Sequence, residues 1–153
     1  MILNWAGNVN EIKDAVYNTI KNAKIKNIKG VITTVYKRNI PSKPSHTNCP
    51  MIAVFKRNAS GDEIKRDQPS LELPRRVYIV IGICDFSMAD LDEAEVKTDD
   101  LINKIIIELS KNPSLNGLVS GIEVENITWD EANDDDVWFS TPMIELSVVG
   151  TKL

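Results

Sequence analysis

The feature that most constrains the fold of this chain is a run of ten residues, Val77–Phe86, that is apolar at nearly every position. As a strand, the run is apolar on both faces, with Val77, Ile79, Ile81 and Ile83 on one face and Tyr78, Val80, Gly82 and Cys84 on the other. A strand of this kind requires cover on both sides, which the middle of a sheet provides. Its β-branched and aromatic residues favour a strand over a short buried helix. The sequence therefore predicts a sheet built around residues 77–86.

The same run divides the chain by charge. The residues before it include 14 Lys and Arg against 6 Asp and Glu, whereas the run and everything after it include 4 against 16. The two halves carry net charges of +8 and −12, which together give the −4 of the whole chain. If the fold keeps the two sets apart, the basic patch of one copy can meet the acidic patch of the next, a heterologous contact that closes a ring or extends a filament. If the fold mixes them, both sets are simply solvated.

The size and composition are those of a single globular domain spanning residues 1–153. Of its residues 42% are hydrophobic and 26% charged, as in an ordinary soluble protein with its own core. No apolar run approaches the roughly 18 residues of a membrane span, and the first five residues lack the basic start and apolar centre of a signal peptide. We therefore expect that the chain does not associate with a membrane. We expect it to be made and kept in the cytoplasm, or in something assembled there. The modest acidic balance argues against a dedicated DNA-binding domain, since such domains are usually strongly basic.

Hydrophobic periodicity predicts two helices and five strands. The first helix is capped by Asn8 or Asn10 and ends near Ala23, and the second begins at Thr98, or earlier near Asp90. The strands are predicted at Val31–Arg38, Met51–Arg57, Val77–Phe86, Ile122–Trp129 and Val137–Val149. The order of elements is therefore α-β-β-β-α-β-β.

This order predicts an α+β fold, a two-layer sandwich with two helices packed on one face of a mixed or antiparallel sheet of about five strands. Three meandering strands, a crossover helix and a final hairpin supply the elements. The apolar alternation changes phase between Val124 and Ile127, which indicates a bulge or a sharp twist, and Pro142 indicates a bulge or an edge. Two loops are predicted to be flexible: residues 40–50, which contain three prolines, and 58–74, a long polar excursion.

No catalytic motif stands out, and no glycine-rich phosphate-binding loop is present. His46 and Cys49 are separated by two residues in the proline-rich loop, and Cys84 is a conceivable third ligand. A structural zinc site needs four ligands, and a Cys–His nucleophilic pair needs an orienting group, and the sequence supplies neither. We therefore expect a loop histidine and two free thiols in a cytosolic setting, with no catalytic residue, cofactor or metal.

The most acidic stretch lies near the end of the chain, where five of the seven residues from Asp130 to Asp136 are acidic, in a predicted turn. A calcium loop needs ligands at alternating positions and a central glycine, which this stretch lacks, so a solvated hairpin tip is expected. Basic pairs recur at strand ends, with too few aromatic residues among them for single-stranded nucleic acid. The predicted subunit contact joins Lys37, Arg38, Arg75 and Arg76 to Asp134, Asp135 and Asp136.

The order of elements from residue 77 onward resembles that of a known family. The apolar strand Val77–Phe86 is followed by an acidic amphipathic helix and the stretch Leu109–Leu118, then a strand that closes at Ile127–Asp130, an acidic turn and a final strand, Met143–Val149. In this order the chain resembles the tail terminator (tail completion) and minor tail proteins of long-tailed phages and prophages. The first helix, Val9–Ala23, is similar to their usual start.

The resemblance implies a non-enzymatic virion assembly protein that forms a ring, typically of six copies, on the last ring of the tail tube. There the ring ends tube growth and offers a surface for head–tail joining. Its partners would be other copies of itself, the tail tube protein and a head-side connector or neck protein. DNA would pass through the lumen without sequence-specific binding. The implied location is the tail or neck of the virion, assembled in the host cytoplasm. Loops 40–50 and 58–74 depart from the compact form of the family.

Other functions remain open at this point. The chain is compatible with a different adaptor of the neck or head–tail connector. A small metal-dependent hydrolase would use His46, Cys49 or the aspartate cluster, and bound metal would favour it. A monomeric ligand-binding module would be favoured by a persistent monomer with a tightly bound small molecule.

Overall fold

A computed structural model describes residues 5–57 and 76–151 of the chain. The helices are α1 (Trp5–Ala23) and α2 (Leu91–Ser110), and the strands are β1 (Thr34–Tyr36), β2 (Met51–Lys56), β3 (Arg76–Ser87), β4 (Val119–Thr128), β5 (Glu131–Asp134), β6 (Val137–Ser140) and β7 (Met143–Thr151). The predicted excursion 58–74 lies outside the described residues. No helix in the described ranges is long and apolar enough to cross a membrane.

The seven strands form one mixed sheet around β3. β2 pairs antiparallel with one side of β3, and β7 and β6 pair antiparallel with successive parts of its other side. β1 lies outside β2 and runs parallel to it, while β4 and β5 lie outside β7 and β6. The predicted α+β fold, with a mixed sheet and an apolar central strand, is confirmed.

The final hairpin is broken in the middle, which accounts for seven strands where about five are predicted. One arm is interrupted between β6 and β7 at Thr141 and Pro142, where proline has no N–H to donate. The Thr141 N–H instead donates to the Asp130 carbonyl at 2.9 Å, opposite the break between β4 and β5. Residues of β5 that were predicted to be turn therefore pair with β6, and the turn shrinks to Asp135 and Asp136.

The predicted irregularity in β4 is confirmed as a change of register. Val124 lies opposite Leu146 and Asn126 lies opposite Glu145, so Glu125 is an extra residue on the β4 side. A bulge of this kind moves the following residues to the opposite face, which returns Ile127 to the helix-covered side. The phase change in the sequence is the direct signature of this bulge.

The main core lies between the two helices and one face of the sheet. The four residues of β3 on this face, Val77, Ile79, Ile81 and Ile83, have no exposed surface. They belong to one cluster with Ile12, Val16 and Ile20 of α1 and with Leu101 and Ile105 of α2. Burial of each such side chain stabilises the fold by about 1.5–3 kcal/mol, so both helices are held to this face. The predicted apolar stripes of the two helices are confirmed.

The predicted starts of the helices need correction. α1 already begins at Trp5, so Asn8 and Asn10 lie inside the helix and do not cap it. α2 begins at Leu91, the earlier of the two predicted positions, because the Asp90 side chain accepts a hydrogen bond from the Glu93 N–H at 2.8 Å. Thr98 therefore lies inside α2, where it is buried.

The other face of the sheet is covered by the connection between β1 and β2, residues 37–50, which we call the proline loop. β1 and β2 are parallel and not successive strands of a meander, so this connection has to cross over the sheet. It crosses opposite the helices: Ile40 and Cys49 pack against a cluster of Met51, Cys84 and Phe139. Gly82 makes room for it, because a Cβ at that position would lie 3.1 Å from the Ile40 side chain.

Candidate functional site

The strand order separates charge in space as well as along the chain. α1, β1 and β2 lie at one side of the sheet, and α2 and β4–β7 lie at the other. Residues 5–57 include ten Lys and Arg but two Asp and Glu, whereas residues 76–151 include four against sixteen. We call the first side the basic edge and the second the acidic edge. Among the described residues the two sets lie mostly apart, although the proline loop brings Lys43 beside Asp134 at the acidic edge.

At the basic edge lie two of the predicted contact residues. The Lys37 ammonium is 3.3 Å from a carboxylate oxygen of Asp14 and 4.8 Å from the centre of the Tyr17 ring. The Arg38 guanidinium lies 5.2 Å from the centre of the Tyr36 ring. Both side chains are exposed, so they remain accessible to a partner.

Of the other predicted basic pair, Arg75 and Arg76, the structure describes only the second residue. Arg75 lies outside the described residues. Arg76 donates a hydrogen bond to the Ser147 hydroxyl at 2.9 Å and lies 3.6 Å from a carboxylate oxygen of Glu123. Arg76 is therefore held within its own protomer, on the side of the sheet where the acidic edge lies.

The predicted acidic residues, Asp134, Asp135 and Asp136, form the tip of the β5–β6 hairpin and are exposed. Within residues 5–57 and 76–151, no basic side chain forms a salt bridge with any of them. The tip lies beyond Ser87, at the opposite end of β3 from Arg76, and a strand of this length spans roughly 35 Å. Lys37, Arg38 and Arg76 form no salt bridge with these aspartates within the described protomer, and a contact between copies stays a prediction.

A basic and apolar turn follows α1, where the sequence predicts a basic connector that leads to the strand Val31–Arg38; the strand itself begins only at Thr34. Residues 26–32, which we call the lysine turn, expose three large hydrophobic side chains: Ile28 and Val31 at 49% each and Ile32 at 53%. Lys26 and Lys29 are exposed beside them. Asn27 and Gly30 are residues that favour turns, in agreement with the predicted connector.

Asn27 holds the lysine turn in one shape. Its side-chain oxygen accepts hydrogen bonds from the Lys29 and Val31 N–H groups, both at 3.0 Å. Its side-chain amide donates to a carboxylate oxygen of Asp85 at 3.2 Å, which anchors the turn to β3. Gly30 has φ +83°, a left-handed conformation that glycine adopts at no steric cost.

Asp85 is a fully buried carboxylate in a closed polar network under α2. Burial raises its pKa, against the opposing effects of hydrogen bonds from the Phe86 N–H and Asn27 and of the nearby Lys97 charge. Lys97 in turn donates to the Phe86 carbonyl at 2.8 Å. Because these groups satisfy one another, the cluster serves as an anchor for the lysine turn and α2.

Of the three residues considered for metal binding, His46, Cys49 and Cys84, the structure brings the two cysteine sulfurs together. The Cys49 sulfur lies 3.6 Å from the Cys84 sulfur, whereas the His46 ring packs against Phe86 at 5.6 Å between centres. No group of three or more His, Cys, Asp or Glu residues able to hold a metal ion occurs in the described parts of the chain. The pKa of the Cys84 thiol is raised by its hydrogen bond with Cys49 and by burial. The arrangement is a thiol pair, with one partly exposed and one buried sulfur.

An apolar groove lies at the acidic edge, between α2 and β4. It has a volume of about 180 Å³ and is lined by Ile106, Leu109, Ser110, Pro113, Ile122, Val124 and Leu146. Val124 is 43% exposed at this groove, although it belongs to the helix-covered face of the sheet. Sequence reasoning missed the groove, since its walls come from three elements that are distant along the chain. A groove of this composition suits an aliphatic side chain better than a charged ligand.

No protein-family model matches the chain, and no curated protein is significantly similar to it.

Proposed function

We propose that this protein is a non-enzymatic structural subunit that assembles head to tail into a ring on the end of a phage or phage-like tail tube. The ring ends tube growth and provides the surface for head–tail joining. The observation that carries the proposal is the separation of charge onto a basic edge and an acidic edge. A head-to-tail contact needs two different, complementary surfaces on one subunit, and these two edges meet that requirement.

The charge of the acidic edge also suits a ring through which DNA travels. Residues 76–151 include sixteen Asp and Glu, and an acidic surface repels phosphates and lets DNA pass without sticking. Exposed aromatic side chains occur on the same edge, with Trp129 at 60% and Trp138 at 36% exposure. Aromatic residues are enriched in protein interfaces, which supports contact with a tube or neck protein there.

The proposal is tested with the tail tube protein encoded in the same genome. We expect the purified subunit to stop the elongation of growing tubes and to appear as a ring at one tube end in electron micrographs. Tube length and end density are the measurements. Tubes that grow unchanged and carry no end density at saturating subunit would contradict the proposal. Bovine serum albumin, another acidic protein, is the control for unspecific effects.

A further inference from the structure

We infer that the lysine turn of one copy inserts into the apolar groove at the acidic edge of the next copy. This inference rests on the proposed head-to-tail assembly and names the contact that makes it.

The lysine turn is shaped for insertion. Three aliphatic side chains, Ile28, Val31 and Ile32, are about half exposed on a segment of seven residues, and they belong to neither hydrophobic cluster of residues 5–57 and 76–151. The hydrogen bonds of Asn27 fix the backbone of the turn before any contact forms. A preorganised turn loses little conformational entropy when it binds, which favours its use as an anchor.

The groove matches the turn in size and chemistry. Its volume of about 180 Å³ is comparable with that of engineered apolar cavities of about 150 Å³, which accept a benzene ring. One or two of the exposed aliphatic side chains of the turn therefore fit within it. Filling the groove would also cover Val124, which is 43% exposed in the free protomer.

Charge around the two surfaces is complementary. Lys26 and Lys29 flank the aliphatic residues of the turn, and Lys24 precedes them. On the acidic side, Glu125 is the exposed bulge residue that follows Val124, and the exposed Asp99 lies two turns before Ile106 on the same flank of α2. The net charge of residues 76–151 remains strongly negative, so the lysines are attracted to this edge.

The two surfaces lie on opposite flanks of α2, so the lysine turn does not reach the groove of its own protomer. On one flank, the Lys104 ammonium donates to the Lys26 carbonyl at 2.8 Å, which places the lysine turn there. On the other flank, Ile106 and Leu109 line the groove. Contact between two different surfaces of successive copies is heterologous, as a ring requires.

Three variants with the same substitution test the contact: Ile28→Glu in the turn, Val124→Glu in the groove, and Met88→Glu as the control. Met88 is an exposed hydrophobic residue, at 59%, that belongs to neither surface. Circular dichroism and thermal melting establish that each variant folds. We expect Ile28→Glu and Val124→Glu each to raise the dissociation constant of self-association more than about 30-fold, because a charge is forced into an apolar contact. Met88→Glu is expected to associate like the wild type.

Mixing the two defective variants provides the sharper measurement. Ile28→Glu retains an intact groove and Val124→Glu retains an intact turn, so a mixture contains one functional contact. Native mass spectrometry is expected to show monomers for each variant alone and a one-to-one heterodimer for the mixture. Wild-type association by either variant, or a mixture that stays monomeric, would overturn the inference.

The outcome for the wild type separates this inference from the proposed function. If the wild type and both variants associate equally well, the turn-in-groove contact is wrong, and a head-to-tail ring would have to form through a different contact. A wild type that stays monomeric up to about 1 mM, the weak limit of specific association, overturns the turn-in-groove contact itself. Capping of the tail tube is then decided by the tube-elongation experiment alone.

Discussion

Asp85 links the central strand to the lysine turn through a carboxylate that burial makes harder to ionise. The folded protein therefore holds the Asp85 proton to a higher pH than the unfolded chain does. The stability that this proton contributes is complete below the ordinary pKa of 3.8 and is lost as the pH rises through the raised pKa of the folded state. Asparagine at this position cannot ionise, so it removes this pH dependence.

We therefore expect the free energy of unfolding of Asp85→Asn, relative to the wild type, to increase as the pH rises above about 4. The new amide also faces the donor of Asn27, which adds a cost that does not change with pH. Urea unfolding at pH 4, 5, 6 and 7 separates the two effects. The change with pH in the difference in free energy of unfolding reports the ionisation of Asp85, and the part of the difference that is constant with pH reports the lost hydrogen bond. Asp134→Asn is the surface control. A difference between Asp85→Asn and the wild type that is constant across this range would contradict the expectation.

The thiol pair gives a second prediction for single residues. Diamide should convert Cys49 and Cys84, whose sulfurs lie 3.6 Å apart, into a disulfide within one chain. The partly exposed Cys49 sulfur adds to the nitrogen–nitrogen double bond, and the Cys84 sulfur then displaces the adduct, so the reagent leaves as the hydrazine with both hydrogens. Intact mass spectrometry should show the loss of two hydrogens. The bond would close a segment of 35 residues and raise the free energy of unfolding by about 3–4 kcal/mol.

Cys84→Ala is the control for this reaction, since it keeps the accessible thiol and removes its neighbour. Two thiols that are still alkylated after diamide treatment of the wild type would show that the sulfurs do not meet in solution. A disulfide between two chains would place the reactive contact outside the protomer.

At the scale of elements, the lysine turn depends on one side chain. Asn27→Ala removes two hydrogen bonds to the turn and one to Asp85, and it leaves a buried carboxylate with one fewer donor. Each such bond contributes about 1 kcal/mol, so we expect the free energy of unfolding to fall by about 3 kcal/mol. Denaturant unfolding is the measurement, with the exposed Asn22→Ala in α1 as the control. A loss below about 1 kcal/mol would show that the turn is held by other contacts.

Elements with a clear apolar period were predictable from the sequence, whereas those decided by distant partners were not. The stripe of α2 and the run of β3 each bury one uninterrupted set of side chains, so period alone identifies them. The phase change near Glu125 revealed the bulge for the same reason. The parallel direction of β1 could not be predicted from the sequence, because it depends on the path of the proline loop over the sheet.

The surfaces were predictable in the same uneven way. The sign of each edge followed from the composition of the two halves, since α1, β1 and β2 lie on one side of the sheet and α2 and β4–β7 on the other; the proline loop, which crosses the sheet, is the exception. The lysine turn was predicted in part, as a basic connector up to Gly30, whereas Val31 and Ile32 have high β propensity and were wrongly predicted to be strand. The groove and the thiol pair both join residues from separate elements, and no local pattern encodes such a meeting.

At the scale of the whole molecule, the two charged edges would make the proposed assembly sensitive to salt. Attraction between exposed charges is screened over about 8 Å at physiological ionic strength, so a contact between the edges should weaken as salt is added. The proposed apolar contact of the lysine turn with the groove should respond less to salt and would set the affinity that remains at high salt. The two contributions can therefore be separated by changing charge at a place distant from the groove.

The hairpin tip is that place, and it is the predicted partner of the basic residues Lys37 and Arg38. We expect a variant with Asp134→Lys, Asp135→Asn and Asp136→Lys to fold as the wild type does, since the tip is exposed and asparagine tolerates the φ of +54° at position 135. Its self-association should be roughly tenfold weaker at low salt, because several exposed charge pairs each contribute a few tenths of a kcal/mol. A variant with asparagine at all three positions should self-associate more strongly than the lysine variant and more weakly than the wild type. Native mass spectrometry across a salt series is the measurement. Complete rings formed by the lysine variant at ordinary salt would show that the tip takes no part in the contact, and the lysine turn and groove would then hold the ring without it.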